Sequence, residues 1–307
     1  MTKIILAPTW ELAENVNAEI TVEAEYGAMV KEGTVYTAAH HQPHGPFAGN
    51  HVVAGGRPAP CNDADIPLLA EGTILVSHLD LDTIGGIMRT RGAGYFGEFE
   101  SFWALAEFVD VNGPHKLGES GASSGDIERL YAWWAYSKTM PRFSRDEVSD
   151  ITDVVNAAIS HLGDILWGHE PALSAGKAFR EEEAALNSRT FRSVVQGFRY
   201  PDSGVIERVC GAGEFVNHLY VTPDGYVGEM VVALNTGTGA ITISRANPDP
   251  AISCRAIAQA LWGLTAGGHD GIAGGPRGRV MTHDDLTAAM DEVSRRVIAF
   301  NHNHKEV

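Results

Sequence analysis

Short apolar runs that end in polar clusters dominate the first part of the chain. Residues 34–39 form one such run before the cluster HHQPHG, and residues 73–77 form another before HLDLD. Strands that end in Asp, His and Gly and then lead into a helix are typical of α/β sheets, which present these side chains at their carboxyl edge. The pattern therefore predicts an α/β fold with a parallel or mixed sheet and with chemistry at one edge of that sheet.

A helical period follows over residues 124–186. One helix is predicted at 124–138, capped by Ser124 or Asp126, and the aromatic face around Trp133 and Trp134 fits either the core or the interface of a homodimer. A second helix is predicted from Ser144, which lies at capping-box spacing from Glu147, and a third at 173–186. This region therefore supplies helices that cover the sheet.

The apolar segment 99–109 fits a helix or a strand. It ends at Asp110, and the following Gly-Pro pair predicts a tight turn that holds Asp110 and His115. If the segment is a strand next to the one that precedes HLDLD, the side chains of Asp110 and His115 lie beside that motif. Without such a neighbour, an Asp and a His around a Gly-Pro turn are ordinary turn residues.

The second part of the chain changes to short β runs separated by turns, beginning near residue 188. A helix at 251–264, a glycine-rich loop and a closing helix at 282–300 follow, with Thr282 and Asp285 as a capping signature. A chain of 307 residues exceeds what one hydrophobic core usually serves. We therefore predict two domains, residues 1–187 and a smaller α/β domain at 188–307, with an active site in the cleft between them.

The composition excludes several functional classes. A net charge of −16 argues against a surface that follows double-stranded nucleic acid, because such binding needs clustered Lys and Arg. No segment has the length and apolar character of a membrane span or an export signal. The three cysteines are far apart and form no CxxC pair, so neither a zinc ribbon nor a disulfide framework is indicated. A cytoplasmic location is the expectation.

The motif HLDLD carries the first candidate chemistry. In an extended segment, His78, Asp80 and Asp82 share one face, so their side chains can converge on a metal ion. Imidazole with carboxylate oxygens suits manganese, magnesium, iron or zinc. The alternative is a solvated strand end in which Asp82 caps a helix.

The histidines of HHQPHG are a second candidate set. His40, His41 and His44 follow another strand-like run, so His40 and His41 are candidates to complete a metal site. Three histidines in five positions also fit a solvated loop.

The segment GGHDGIAGG is the most specific signal in the chain. Paired glycines on both sides of a histidine let the backbone approach a ligand and direct N–H groups at an anion. Upstream, an arginine in ITISRA can pair with a phosphate through two hydrogen bonds. The alternatives are a glycine-rich hairpin and a surface arginine. The candidate substrate-binding residues are Arg245, Gly267, Gly268, His269, Gly274 and Gly275.

Together, HLDLDTIGG and GGHDGIAGG resemble the DHH phosphoesterase superfamily with its associated C-terminal domain. The resemblance implies an N-terminal α/β domain that holds divalent metal, usually manganese, through His78, Asp80 and Asp82. It implies a C-terminal domain in which Arg245, His269 and the loop glycines bind the phosphate or nucleotide end of the substrate. Residues 241–275 carry this second part of the resemblance.

The chain departs from that family's pattern at the later metal motifs. It has no Asp-His-His triplet; Asp110 and His115 in DVNGPH keep the residue types with a different spacing. Asp153 and Asp164 are candidates for the last aspartate. A site with one metal, a site completed by His40 or His41, and an altered reaction all remain open.

The leading hypothesis is a metal-dependent phosphohydrolase, with Asp80, Asp82 and His115 at the reacting centre and Asp110 and His115 as further ligands. Its cofactor is expected to be Mn²⁺, with Mg²⁺, Fe²⁺ and Zn²⁺ as alternatives. His115 is a ligand or a proton donor to the leaving oxygen. The expected substrate is a small phosphorylated or nucleotide molecule. The alternatives are a metal-dependent hydrolase or lyase of a non-phosphate bond and a non-catalytic nucleotide-binding protein.

Overall fold

The chain folds into two compact α/β units, which confirms the predicted fold class. The computed structural model describes residues 2–41, 58–93, 96–193, 195–197, 203–211, 220, 228–247 and 250–304. Unit 1 comprises Met1–Asp110 and Lys116–Glu182, and unit 2 comprises Val111–His115 and Glu183–Val307. The division after Glu182 and the sequence-based boundary after residue 187 fall within the same helix.

Unit 1 is built on a five-stranded mixed sheet. The strands of this unit are β1 (Thr2–Leu6), β2 (Ile20–Val22), β3 (Glu25–Tyr26), β4 (Met29–Val30), β5 (Tyr36–Ala38), β6 (Gly72–Val76) and β7 (Ser149–Asp150). The order in the sheet is β5-β2-β6-β1-β7, with β7 antiparallel to β1 and the other neighbours parallel, while β3 and β4 form a separate hairpin. The carboxyl ends of β2, β5 and β6 therefore lie at one edge.

Six helices lie wholly or mainly in unit 1, and the last of them continues into unit 2. They are α1 (Trp10–Ala13), α2 (Leu81–Thr90), α3 (Glu100–Asn112), α4 (Ser124–Ser137), α5 (Thr152–Leu166) and α6 (Glu170–Ser193), with a 3₁₀ helix at Pro114–Glu119. The core of the unit includes the side chains of Phe102, Trp103 and Trp133 together with the apolar residues of the sheet. The aromatic face of α4 thus contributes Trp133 to the core, and Trp134 packs against it.

Three local predictions in unit 1 are wrong. Segment 99–109 forms a helix, which is one of its two predicted alternatives, but Asp110 does not lie in a turn: it lies inside helix α3, because the helix continues to Asn112 before Gly113 breaks it. Helix α4 is capped by Ser123, whose side chain accepts a hydrogen bond from the amide of Asp126. No helix starts at Ser144, since the following segment first pairs with β1 and α5 begins only at Thr152.

Unit 2 is built on a six-stranded sheet covered by helices. Its strands are β8 (Val195–Gly197), β9 (Val205–Cys210), β10 (Met230–Asn235), β11 (Ala240–Arg245), β12 (Gly267–Gly268) and β13 (Ile272–Gly274). Their order is β12-β13-β11-β10-β9-β8, and only the pair of β9 and β10 is parallel. The helices are α7 (Cys254–Trp262) and α8 (His283–His304), preceded by a 3₁₀ turn at Pro250–Ile252.

The capping signature predicted for the last helix is confirmed. The amide of Thr282 donates to Asp285 Oδ2 at 2.9 Å, and the amide of Asp285 lies 3.4 Å from Thr282 Oγ1. This reciprocal pair satisfies two amides at the start of α8. In the described part of the chain, no helix combines the length and the apolar character needed to cross a membrane. All three cysteines are described, and none forms a disulfide.

Candidate metal centre

Three neighbouring strands of unit 1 deliver acidic residues and histidines to one edge of the sheet. In the parallel register, Val22 pairs with Ala38 on one side and with Val76 on the other. The segments that follow these strands carry Glu23 and Glu25, His40 and His41, and the HLDLD motif. These side chains therefore start from adjacent positions, as expected at the carboxyl edge of a parallel sheet.

Glu23 occupies the centre of this edge in an unusual backbone conformation. It has a φ of 52°, the left-handed region that non-glycine residues rarely adopt. Its amide donates to the carbonyl of Ala38 at 2.9 Å, and its own carbonyl accepts from the hydroxyl of Ser77. Both neighbouring strand ends thus hold the backbone of Glu23 in place, and its side chain is only 1% exposed.

Three carboxylates converge on the imidazole of His40. Its Nε2 lies 3.3 Å from Glu23 Oε1, 3.5 Å from Asp82 Oδ2 and 3.3 Å from Asp110 Oδ2. The side chains of His40 and Asp82 are each 3% exposed, and that of Asp110 is partly exposed on α3. We refer to Glu23, His40, Asp82 and Asp110 as the carboxylate–histidine cluster.

The spacing inside the cluster fits the ligands of a small cation better than it fits hydrogen bonds. Ligand bonds of about 2.1 Å at a tetrahedral angle place two ligand atoms about 3.4 Å apart, whereas N–H···O hydrogen bonds cluster near 2.9–3.0 Å. The observed separations from His40 Nε2 are 3.3–3.5 Å. Among the described residues, Glu23 Oε1 and Asp82 Oδ2 are buried and have no hydrogen-bond donor. These two oxygens remain available to a cation.

The buried carboxyl groups of the cluster would also be stabilised by added positive charge. Burial, reinforced by neighbouring carboxylates, holds the pKa of Glu23 well above its usual range, and burial raises the pKa of Asp82 to about 8 against the opposing effect of His40. Burial alone would lower the pKa of His40, but Asp110 and Asp82 outweigh it and raise that pKa to about 9. In the metal-free protein, Glu23, Asp82 and His40 therefore tend to retain protons. A bound divalent ion would supply positive charge in place of those protons.

Asp82 is fixed by a loop that reaches the start of α2. The amide of Cys61 donates to Asp82 Oδ1 at 2.7 Å, which leaves Oδ2 directed at His40. This close approach needs glycine in α2: a Cβ on Gly85 would overlap Cys61, and a Cβ on Gly86 would lie 2.6 Å from Val22 Cγ1. The glycines of HLDLDTIGG thus permit the packing that positions the aspartate.

The expectation that His78, Asp80 and Asp82 share one face of an extended segment is wrong. Strand β6 ends at Val76, and the side chain of Asp80 caps α2 by accepting from the amide of Thr83 at 2.8 Å. His78 Nε2 lies 2.8 Å from Asp80 Oδ2. Burial opposes ionisation of Asp80, but His78 outweighs it and lowers the pKa of the carboxyl. Among the three, Asp82 is the one within 3.5 Å of His40.

The remaining sequence candidates of this region lie in other settings. Asp110 belongs to the cluster although it lies in a helix. The backbone of His115 is in the 3₁₀ helix, whereas its side chain and all of His44 lie outside the described residues. Asp153 is exposed in the first turn of α5, and Asp164 Oδ1 lies 2.8 Å from His169 Nδ1 on the surface.

Two further ligand candidates, Glu23 and Glu25, lie outside the motifs that the sequence singles out. The carboxylate of Glu25 accepts from the amides of His40 and His41 at 3.0 and 3.1 Å, and one of its oxygens lies 3.6 Å from His41 Nδ1. The available signal is the sequence Glu-Ala-Glu directly after the apolar strand Ile20–Val22. Two acidic residues thus follow β2 in the chain, just as two histidines follow β5.

The glycine–histidine segment of unit 2 forms a hairpin after α7. Gly267 pairs with Gly274, and Gly268 pairs with Ala273. Gly268 has a φ of 141°, and a Cβ there would lie 2.6 Å from the carbonyl oxygen of Ile272. The amide of His269 donates to that same carbonyl at 2.7 Å. The hairpin geometry therefore requires glycine at position 268 and uses the amide of His269.

The other substrate-binding candidates of unit 2 also make internal contacts. The amide of Gly275 donates to the carbonyl of Ile241 at 3.1 Å, so it is used within the sheet. Arg245 lies at the end of β11 with a side chain that is 7% exposed, and its guanidinium is 2.6 Å from Glu229 Oε1. A phosphate that binds Arg245 would have to compete with this carboxylate.

Comparisons with known proteins supply no family for the chain. No protein-family model matches it, and no curated protein matches it. Among solved structures, it is similar to an uncharacterized protein from Helicobacter pylori G27, with 11% identity over 72% of this chain and 68% of that one and a TM-score of 0.22. A similarity of that size supports no inference about fold or function.

Proposed function

We propose that the protein is a metal-dependent phosphohydrolase that acts on a small nucleotide, a short oligonucleotide or a phosphoanhydride. The observation that carries this proposal is the cluster in unit 1, where oxygens from three chain segments lie within 3.5 Å of His40 Nε2. Glu23 and Asp82 are nearly fully buried there and share the imidazole of His40 as a cationic neighbour. Buried carboxylates that outnumber their cationic partners are costly unless they coordinate a metal.

The donor set favours a hard divalent ion. Glu23, His40 and Asp82, whose ligand atoms lie within 4.8 Å of one another, would hold it, with Asp110 beside His40. Carboxylates with one imidazole suit Mn²⁺, with Mg²⁺, Fe²⁺ and Zn²⁺ as alternatives. Such an ion supplies Lewis-acid polarisation of a phosphoryl oxygen and lowers the pKa of water. The amide of Cys61 keeps Asp82 in one orientation, so the ligand is positioned before the substrate arrives.

The charge of the cluster makes activity dependent on the cation. Without it, the carboxylates repel an anionic phosphate; with it, the same residues form a binding site for a phosphoryl group. The resemblance of HLDLDTIGG and GGHDGIAGG to the DHH phosphoesterase superfamily supports phosphorus as the reacting atom. Arg245, His269 and the glycines of the hairpin are proposed to bind the remaining phosphate or nucleotide end.

A manganese-dependent hydrolysis screen tests the proposal. Metal-free protein is supplied with Mn²⁺ and assayed on dinucleotides, cyclic dinucleotides, nucleoside phosphates and pyrophosphate. The substitution Asp82→Asn keeps an oxygen for the amide of Cys61 but removes the charge, so we expect turnover to fall at least about 100-fold. Asp153→Asn, at an exposed helix position, is the matched control and should retain activity.

Each outcome of the screen assigns the protein to one class. Mn²⁺-dependent turnover that is lost in Asp82→Asn supports the phosphohydrolase. Bound metal without turnover of any phosphate substrate overturns it in favour of a hydrolase or lyase acting on another bond. Nucleotide binding without bound metal overturns it in favour of a non-catalytic binding protein.

A further inference from the structure

We propose that Asp270 is a positioning residue for substrate binding: it links the turn that carries His269 to the start of α7, so that the imidazole meets the substrate in one orientation. We call residues 269–271, between β12 and β13, the hairpin tip. The inference rests on the part of the proposed function that assigns His269 to substrate binding. It goes beyond that part, because the resemblance to a known family gives roles to Arg245, His269 and the loop glycines and none to Asp270.

The carboxylate of Asp270 contacts two side chains at the start of α7. Its Oδ1 accepts a hydrogen bond from the hydroxyl of Ser253 and lies 2.8 Å from Nη2 of Arg255. Ser253 is the N-cap of α7, and its Oγ accepts in turn from the amide of Ala256 at 3.1 Å. The carboxylate is therefore attached to a well-defined point, the first turn of a helix.

The backbone of the hairpin tip is held by two different elements. The carbonyl of Asp270 accepts from the amide of Cys254 at 2.9 Å, and the carbonyl of Gly271 accepts from the amide of Arg245 at 2.9 Å. The first bond leads to α7 and the second to the end of β11. The tip thus connects the two side chains that are proposed to bind the substrate, those of Arg245 and His269.

The sequence of the tip explains why His269 needs this link. Gly268 precedes the pair His269–Asp270 and Gly271 follows it, and glycine restricts the backbone less than any other residue. The amide of His269 donates to the carbonyl of Ile272, which closes the hairpin. A tip between two glycines takes its position from its contacts, and the contacts of Asp270 with α7 provide that position.

The charge of Asp270 suits positioning better than it suits stability. Burial opposes ionisation of the carboxyl, but hydrogen bonds from Ser253 and Arg255, together with the nearby His269, outweigh it and lower its pKa. The side chain of Asp270 is 36% exposed, so solvent weakens the contribution of the ion pair to folding. Arg255, which is 10% exposed, balances the negative charge beside His269. Loss of the link is therefore expected to release the tip without unfolding unit 2.

Steady-state kinetics with Mn²⁺, on the substrate found in the screen, tests the link. Asp270→Ala and Arg255→Gln should each raise KM about 10-fold and leave kcat within about 2-fold, because unit 2 is proposed to bind the end of the substrate that does not react. The double variant should raise KM no further than either single variant, since both break the same link. Asp270→Asn keeps an acceptor for Ser253 and should restore part of the affinity.

The matched control is Asp284→Ala, at an exposed position of α8, which should keep the natural KM. Circular dichroism and thermal unfolding check that each variant is folded. A role of Asp270 in folding alone would lower the melting temperature and kcat together and leave KM unchanged, and that result overturns the inference.

Nuclear magnetic resonance of the substrate-free protein separates this inference from the proposed function. The imidazole signal of His269 is observed with isotope-labelled histidine and assigned with His269→Gln. In Asp270→Ala and in Arg255→Gln the signal should broaden as the ring exchanges between orientations, whereas loss of a nearby charge alone shifts the signal without broadening it. An unbroadened signal in both variants, or an unchanged KM in a chain that hydrolyses substrate, overturns the inference. Broadening in a chain that hydrolyses no phosphate substrate overturns the proposed function and leaves the positioning role of Asp270 standing.

Discussion

Glu23, held at a φ of 52°, places its Oε1 3.3 Å from Nε2 of His40. A left-handed backbone costs about 1–2 kcal/mol for a residue with a Cβ, and a buried carboxylate beside other carboxylates adds to that cost. Two anchoring hydrogen bonds, to Ala38 and from Ser77, maintain the conformation. Strain and buried charge at one residue are typical of a position kept for function rather than for stability.

Removing the charge of Glu23 is expected to stabilise the metal-free protein. Glu23→Gln keeps the shape of the side chain and removes the cost of burying an ionisable carboxyl group among other carboxylates, so the free energy of unfolding at pH 8 should rise by about 1–2 kcal/mol. Manganese retention should fall at the same time. Urea unfolding of the metal-free forms measures the first effect, with Glu11→Gln on the exposed side of α1 as control. Lower stability of Glu23→Gln would show that the carboxylate serves folding instead.

Helix α2 should tolerate no side chain at Gly85. A methyl group there would overlap Cys61 and lie 2.8 Å from Trp103 Cζ3, so Gly85→Ala should cost about 1–3 kcal/mol and displace the loop that orients Asp82. In α5, a methyl group on Gly163 would meet no described residue within 4 Å, and Gly163→Ala should instead stabilise by about 0.5–1 kcal/mol. Thermal unfolding and manganese retention are measured for both variants and compared with those of the natural chain. Equal effects at the two positions would contradict the packing described for α2.

The sequence predicted the edge of the sheet better than the ligands on it. Apolar runs followed by His40, His41 and Asp82 identified the ends of β5 and β6, because hydrophobic patterning is a local property of the chain. Glu23 and Glu25 were missed, since Thr21, Glu23 and Glu25 alternate like the solvent face of a half-exposed strand. Both are buried in the folded unit, where β2 lies between β5 and β6, and non-local strand order cannot be deduced from the periodicity of one segment.

Helix boundaries limited the remaining site predictions. Asp110 was expected in a turn but lies in α3, where it still contacts His40 because the helix carries it to the sheet edge. His78 and Asp80 were expected to point with Asp82, but the chain turns into α2 between them, and Asp80 is used as a cap. The paired glycines of GGHDGIAGG are expected to bring the backbone close to a ligand; in the structure, Gly268 approaches Ile272, and the glycine pair of α2 approaches Cys61 and Val22.

The stability of the metal-free protein should fall as the pH rises. Asp82 has a folded pKa of about 8 against an ordinary value of 3.8, and His40 has about 9 against 6.5. For both groups the folded state keeps a proton that the unfolded chain has released, so the folded state loses stability between pH 6.5 and 8. Denaturant unfolding across this interval should show a decline that is shallower in Asp82→Asn. A flat profile in the natural chain would contradict these pKa directions.

The ion pair of Arg245 and Glu229 gives a test of substrate binding by unit 2. If the guanidinium binds phosphate, Glu229→Gln removes a competitor 2.6 Å away and should lower the KM for the phosphorylated substrate about 3- to 10-fold. Arg245→Lys should raise it, because a lysine cannot form the two-point contact. Steady-state kinetics on the substrate found in the screen measures both. Unchanged KM values in both variants would show that Arg245 does not bind the substrate.

The most direct test of the metal centre is the metal content of the purified protein. The chain and its Asp82→Asn variant are equilibrated with Mn²⁺, desalted and analysed by inductively coupled plasma mass spectrometry. We expect stoichiometric manganese in the natural chain and its loss from the carboxylate–histidine cluster in the variant. A natural chain that leaves the column without metal, or a variant that retains as much as the natural chain, would contradict it.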